Sequence, residues 1–109
     1  MADDKKFENV YEAVERAKST GKIKKGTNET TKVVEKGIAK LVVVASDVNP
    51  KEIVMHIAPL CKEKGVPFVV VPSKVELGAA AGLPLGTSCV AIVQEGDAKD
   101  IIKRIVESQ

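Results

Sequence analysis

Three short runs of strand-forming residues, separated by segments with helical spacing, constrain the fold of this chain more than any other feature. The runs read AKLVVVAS, VPFVVVPS and CVAIVQEG. The first does not alternate apolar with polar residues, so it predicts a strand buried on both faces, and we interpret the second in the same way. The shorter KIKKG segment predicts an edge strand. Buried strands of this kind need helices on both faces of their sheet.

The segments around these strands predict helices with recognisable ends. The predicted N-caps are Thr27, Asn49, Ser73 and Asp97, and the predicted stops are Gly21, Gly37, Gly65 and Gly82. Helices and strands therefore alternate along the chain. This order predicts an α/β protein, a three-layer α/β/α sandwich with a central mixed sheet of about four strands. At 109 residues, the whole range 1–109 is expected to form one domain.

Basic residues are concentrated in one part of the sequence. The formal net charge is only +2, but residues 16–40 contain eight basic and two acidic side chains, so this part carries +6 and the remainder −4. Such a region fits a footprint for phosphates, and it also fits a solvated, lysine-rich face. The aromatic residues are only Phe7, Tyr11 and Phe68, which argues against a platform on which nucleic-acid bases stack.

Nothing in the sequence predicts catalysis. Neither a dinucleotide-binding glycine motif nor a P-loop is present, and the carboxylates lack metal-ligand spacing, so we expect no enzyme activity, cofactor or metal. The lone histidine, His56, is expected to be a half-buried packing residue. Cys61 and Cys89 are expected to be buried, reduced thiols of a cytoplasmic protein. The charged N-terminus MADDKKF predicts no signal peptide, and no apolar run is long enough to cross a membrane.

The segment KGTNETTK, residues 25–32, is the candidate binding motif. It can be interpreted as nothing more than the polar start of a helix, with Thr27 as its cap. The alternative rests on spacing, because Asn28, Glu29 and Lys32 project from one side of the first turns. A carboxylate such as Glu29 can accept hydrogen bonds from guanine N1–H and N2–H, while Asn28 and Lys32 can donate to guanine O6. Free N–H groups at the helix start and upstream lysines favour phosphates. On this second interpretation the motif would bind an RNA with guanines outside regular pairing, and the spacing alone leaves both interpretations open.

The stretch IKKGTNETTKVVEKGIAKLVVVASDVNPKEIVMHIAPLCKEKGVPFVVVPSK, followed by LGAAAG and SCVAIV, resembles the kink-turn RNA-binding ribosomal protein family, and within it the archaeal large-subunit members. The resemblance covers essentially the whole chain. It implies a compact α/β/α sandwich that stabilises kink-turn and kink-loop RNA at tandem sheared G·A pairs. It also implies a place in the large ribosomal subunit, in box C/D and H/ACA guide-RNA particles and in ribonuclease P, beside other RNP proteins. The free protein is expected to be a monomer without a membrane partner.

The resemblance also implies roles for individual residues. Asn28, Glu29 and Lys32 would read the sheared guanines, Gly26 and Thr27 would let the backbone approach, and Lys25 would face phosphates. Ile53, with Asn49 nearby, would lie under a bulge nucleotide, Lys74 would contact the backbone, and Leu83, Pro84, Leu85 and Gly86 would lie against bulge bases. From spacing alone, Ile53 is a core residue, Lys74 a solvated lysine, and the two leucines part of a loop packed on the core.

The sequence departs from the family at two places. Many relatives have Val-Ser-Arg-Pro where this chain has Leu83–Gly86, so an arginine contact is missing and the loop is expected to act by hydrophobic contact. Relatives often have an acidic residue or lysine at the position of Asn49. Two other functions remain open, a protein-interaction module of the same fold and a small α/β nucleotide-binding enzyme. Asn28, Glu29 and Lys32 together favour the RNA-binding protein.

Overall fold

The structure is a computed structural model that describes the backbone of residues 2–46 and 52–107 and the side chains of residues 8–46 and 56–107. Its helices are α1 (Ala2–Thr20), α2 (Thr27–Glu35), α3 (Glu52–Lys64), α4 (Lys74–Ala80) and α5 (Lys99–Glu107), and its strands are β1 (Lys22–Lys25), β2 (Leu41–Ala45), β3 (Phe68–Val71) and β4 (Cys89–Gln94). A short 3₁₀ turn, Gly96–Ala98, precedes α5. The predicted alternation of helices and strands is confirmed.

The four strands form one mixed sheet in the order β1-β4-β2-β3. The last strand of the chain, β4, lies antiparallel to both β1 and β2, while β2 and β3 are parallel. The final residues of β1, β2 and β3 therefore lie at the same end of the sheet as the first residue of β4. We call this the near end of the sheet, and it is marked by Lys25, Ala45, Val71 and Cys89. Helices α2, α3 and α4 begin at the near end and run back to the opposite, far end.

Helices cover both faces of this sheet, which confirms the three-layer α/β/α architecture. On the first face, α1, α4 and α5 bury a large aliphatic core against the strands, including Val14, Leu77 and Ile102. On the second face, α2 and α3 bury a smaller core that includes Val34, Ile57, Cys61 and Cys89. Strand β2 is buried along its whole length because it lies inside the sheet with helices on both sides.

The prediction that β3 is buried on both faces is wrong. Its residues alternate between the core and the surface, and Val70 is 38% exposed. The reason is topological, because β3 is an edge strand that pairs only with β2. The residues FVVV have high strand propensity, but this propensity does not indicate whether the strand pairs with one or two neighbouring strands.

Two predicted caps are also wrong. The N-cap of α2 is Gly26 rather than Thr27, and Asp97 lies inside the 3₁₀ turn, where its backbone N–H donates to Thr20 Oγ1 over 2.8 Å. Ser73 does cap α4, because its hydroxyl accepts from the backbone N–H of Glu76 over 3.2 Å. The predicted cap Asn49 lies outside the described residues. His56, expected to be half-buried, is exposed.

The far end is closed by the same C-terminal motif on three helices. After α2, the N–H of Gly37 bonds to Val34 O and the next N–H bonds to Val33 O, which is the Schellman pattern. The chain repeats it after α3 at Gly65 and after α4 at Gly82. All three glycines have positive φ, between 70° and 80°, which side chains disfavour. Among the described helices none is both long enough and apolar enough to cross a membrane.

Candidate nucleic-acid interface

The near end brings together the segments that the sequence singled out. Lys25 ends β1 there, α2 begins two residues later, and Lys74 is the first residue of α4. Ile53 is in the first turn of α3, although its side chain and the whole of Asn49 lie outside the described residues. The loop 83–88 returns along α4 and enters β4 at the near end. The fold therefore places motifs that are far apart in the sequence on one surface.

Gly26 sets the direction in which α2 leaves the sheet. Its backbone, with φ 92° and ψ 161°, lies in a region that only glycine adopts readily. Its N–H donates to Cys89 O over 2.9 Å, and its carbonyl accepts from Thr30 N–H over 3.0 Å. No side chain caps the helix, so the N–H groups of its first turn face the near end without an intrahelical acceptor. This geometry suits an anion or a base edge.

Asn28, Glu29 and Lys32 project from the outer side of α2. All three are exposed, whereas Thr30, Val33 and Val34 are buried on the side that faces the sheet. Lys32 Nζ lies 3.7 Å from Glu29 Oε1, and both side chains are about half exposed or more, at 64% and 48%. An exposed pair at this distance is weak, so a ligand can replace it at small cost. The structure thus offers a carboxylate, an amide and an ammonium side by side.

The loop 83–88 is held against α4 by backbone contacts. Leu83 N–H donates to Gly78 O over 2.8 Å, and Thr87 N–H donates to Lys74 O over 3.1 Å. A side chain at Gly78 would collide with the carbonyl of Leu85. The lack of a side chain at Gly78 therefore permits the close packing of this loop on α4.

The loop divides its apolar side chains between core and surface. Leu83 is half-buried against the first core, as expected of a packed loop, but Leu85 is 77% exposed and Pro84 is exposed as well. Lys74 is exposed beside them, and its side chain passes close to Gly86. An apolar ridge beside a lysine can meet a base with one part and a phosphate with the other.

A polar cluster beneath the start of α2 was not predicted. Thr27 Oγ1 lies 3.2 Å from Ser88 Oγ, and Cys89 Sγ donates to Thr30 Oγ1 over 3.5 Å. Thr30 is fully buried. One signal for Thr30 was available, because it shares a helix face with Val33 and Val34. Ser88 offered none, since its partner is 61 residues away in the sequence.

The buried thiol of Cys61 is not a reactive group. Burial raises the pKa of the Cys61 thiol from its ordinary value of 9.0 to about 11, and the neighbouring Cys89 adds to the effect. Cys61 is therefore a neutral thiol at pH 7, and a neutral thiol is a poor nucleophile. Among the described side chains, no three histidine, cysteine, aspartate or glutamate residues come close enough to hold a metal ion.

Two comparisons bear on this surface. The model of the ribosomal protein L7Ae/L30e/S12e/Gadd45 family matches residues 8–102. The solved structure of the Giardia lamblia 15.5kD RNA binding protein is similar over 95% of this chain and 87% of that chain, with a TM-score of 0.90 and 34% sequence identity. The matched residues include α2, α4 and the loop 83–88.

Proposed function

This chain belongs to the ribosomal protein L7Ae/L30e/S12e/Gadd45 family, and we propose that it is an RNA-binding protein that recognises kink-turn and kink-loop RNA through the near end of its sheet. The observation that carries the proposal is the exposed trio Asn28, Glu29 and Lys32 at the start of a helix that no side chain caps. A carboxylate would weaken simple phosphate binding. It is useful where base edges with hydrogen-bond donors must be read.

In this mechanism α2 reads the sheared guanines. Glu29 accepts from guanine N1–H and N2–H after giving up its weak pair with Lys32, and Lys32 and Asn28 donate to guanine O6. Gly26 and Thr27 lie at the helix start, where the lack of a Cβ at Gly26 lets the backbone of the RNA approach. Lys25 neutralises phosphates beside them. Base contacts of this kind each contribute about 1–3 kcal/mol of discrimination.

The second part of the interface holds the bulged nucleotides. Leu83, Pro84 and Leu85 provide apolar contact to the bulge bases, and Lys74 contacts the RNA backbone. Ile53 and Asn49 complete this part beneath a bulge nucleotide. Because Leu83–Gly86 offers no arginine, this part of the interface acts by shape and apolar contact, so it discriminates less between kink-turns and kink-loops than an arginine would.

Binding stabilises a bent RNA rather than changing it chemically. The protein binds the kinked form better than the extended form, so it shifts the RNA population toward the kink. Lysines near phosphates make the affinity fall with salt, by about 0.7–0.9 units of log affinity per unit of log salt for each neutralised phosphate. The kinked RNA can then receive further proteins.

The family resemblance supports a particular biological setting. We place the protein among the archaeal large-subunit members, as a monomeric, single-domain component of the cytoplasmic ribosome and of box C/D, H/ACA and ribonuclease P particles. Any chemistry in those particles belongs to other components, so the protein itself is not an enzyme.

A titration of end-labelled kink-turn RNA tests the proposal. The change in end-to-end distance is followed for wild type, for Glu29→Ala and for Glu35→Ala, an exposed glutamate on the last turn of the same helix. The control RNA has Watson–Crick pairs in place of the sheared G·A pairs. We expect wild type and Glu35→Ala to bend only the first RNA, and Glu29→Ala to bend neither. Equal binding of both RNAs by wild type would contradict the proposal and favour a protein-interaction module.

A further inference from the structure

We propose that Ser88 and Thr30 are positioning residues, which fix the orientation of α2 and thereby place Asn28, Glu29 and Lys32 for base recognition; this inference rests on the proposed function. Neither residue projects toward the RNA side of α2. Ser88 contacts the first residue of α2 from the sheet, and Thr30 projects from α2 toward the sheet; both make these contacts through hydroxyl groups.

Ser88 lies where three segments of the near end meet. Its carbonyl accepts from the N–H of Ala45, at the end of β2, over 2.9 Å. Its hydroxyl lies 3.2 Å from the hydroxyl of Thr27, the first residue of α2. The preceding residue, Thr87, bonds back to Lys74 O, so Ser88 also ends the loop that carries Leu85. Ser88 therefore lies between the two proposed RNA-binding parts, and its side chain contacts the start of α2.

Thr30 holds α2 from a second point, one turn further on. Its side chain is 0% exposed, and among the described residues it shares the buried polar class only with Thr87. A buried hydroxyl is costly unless it has a hydrogen-bond partner, and Cys89 Sγ supplies one at 3.5 Å. The backbone of Cys89 meanwhile accepts the N–H of Gly26. The first residue of β4 thus contacts α2 on both sides of its first turn.

Hydrogen bonds restrict rotation of α2 about its own axis more tightly than apolar packing does. Val33 and Val34 fix how deeply α2 lies on the sheet, but van der Waals contacts tolerate a small rotation about the helix axis. A rotation of about 10° moves a side-chain tip roughly 5–6 Å from the axis by about 1 Å. Hydrogen bonds to a base edge need donor–acceptor distances within a few tenths of an ångström. A loss of orientation therefore weakens base reading while leaving phosphate attraction intact.

The experiment separates orientation from stability. Affinities of Ser88→Ala, Thr30→Val and Thr30→Ser are measured for the kink-turn RNA and for the Watson–Crick control RNA, at several salt concentrations and well below each variant's thermal transition. We expect Ser88→Ala and Thr30→Val each to lower the ratio of the two affinities by about three- to tenfold. The control affinity and the salt slope should not change. Thr30→Ser restores the hydroxyl and should recover the ratio.

Each outcome decides the inference. An unchanged ratio in Ser88→Ala and Thr30→Val would show that the cluster serves stability alone. If Thr30→Val does not fold, the affinity ratio of Ser88→Ala is decisive by itself, because truncation of the half-buried Ser88 leaves the core intact. A wild type that does not distinguish the two RNAs would instead overturn the proposed function, whereas discrimination that is lost in Glu29→Ala but kept in both positioning variants would overturn only this inference.

Discussion

The two ends of the sheet carry opposite ends of the same three helices, and these helix ends differ in whether their backbone groups are satisfied internally. At the far end, α2, α3 and α4 stop, and a Schellman motif satisfies two of the last carbonyl groups of each helix internally. At the near end the same helices begin, and α2 begins with no side chain to cap its N–H groups. For these three helices, the backbone itself thus satisfies carbonyl groups at the far end, whereas α2 has N–H donors available at the near end.

The difference shows where binding capacity comes from in a fold of this kind. A carbonyl-rich helix end is closed by the backbone alone, because a left-handed glycine bends the chain back onto it. An N–H-rich end needs a side chain, as Ser73 demonstrates on α4, and where the chain withholds that side chain a ligand can take its place. Changes at the two ends should thus have separable effects on stability and on RNA binding.

The largest effect is expected from Gly26→Ala at the near end. The site has room for a Cβ, so the cost comes from the backbone, whose conformation is nearly exclusive to glycine. We expect the free energy of unfolding to fall by about 1–3 kcal/mol. Kink-turn affinity should fall by about tenfold or more, because relief of the strain redirects α2. Urea denaturation and RNA titration measure the two effects. Full RNA affinity in Gly26→Ala would contradict the proposal that the near end, and not the far end, presents the RNA-binding surface.

Gly37→Ala is the matched change at the far end. Its φ of 72° also disfavours a side chain, and the site is equally open. We expect the unfolding free energy to fall by about 1–2 kcal/mol. RNA affinity, measured well below the thermal transition, should equal that of wild type. A loss of affinity comparable to that of Gly26→Ala would mean that the two ends are not independent.

Cys61 lies in the core between the two ends of the sheet, and its ionisation should make the unfolding free energy depend on alkaline pH. The native pKa of about 11 lies above the ordinary value of 9.0, so the folded state keeps its proton after the unfolded chain has lost it. The stabilisation is complete below pH 9 and is lost as pH rises from 9 to 11, by about 1.4 kcal/mol per unit.

The difference in unfolding free energy between wild type and Cys61→Ala isolates this titration from those of lysine and tyrosine. It should be constant from pH 7 to 8.5 and then fall. Urea denaturation in the presence of a reducing agent measures it. A constant difference up to pH 10.5 would show that Cys61 ionises as freely in the folded protein as in the unfolded chain.

The smallest effect on stability is expected from the exposed ion pairs. Lys32→Gln at the near end removes the pair with Glu29, and Arg16→Gln removes a comparable exposed pair with Glu12 on α1. Each should lower the unfolding free energy by less than about 1 kcal/mol. Only Lys32→Gln should weaken discrimination between the kink-turn and the control RNA. Equal RNA effects from both substitutions would indicate general charge attraction.

The sequence predicted correctly mainly those features that are specified by residues close together in the chain. The motif in residues 25–32 was found because its members are contiguous, and the exposed positions of Asn28 and Glu29 agree with helical spacing. Their roles toward RNA stay predictions. The cap of α2 was misassigned to Thr27 because composition favours a hydroxyl there, whereas a positive-φ glycine begins the helix.

Features that depend on pairing were not predictable in this way. No local pattern states that β4 lies between β1 and β2, so the edge position of β3 and the exposure of Val70 were missed. The same reason hid the contacts of Ser88 and Cys89 with α2, whose partners are about sixty residues away. Local propensity indicates which segments form helices and strands. The order of the strands in the sheet, which is not a local property, determines which side chains come into contact.

The central position of β4 has a consequence for synthesis of the protein on the ribosome. Of the four strands of this sheet it is the last to leave the exit tunnel, yet β1 and β2 are not joined within the sheet until it pairs with both. Closing so long a segment of chain makes the contact late and slow to form. Because Cys89 and Ser88 also support the start of α2, a nascent chain that stops before residue 88 carries the complete motif in residues 25–32 but not the surface that presents it.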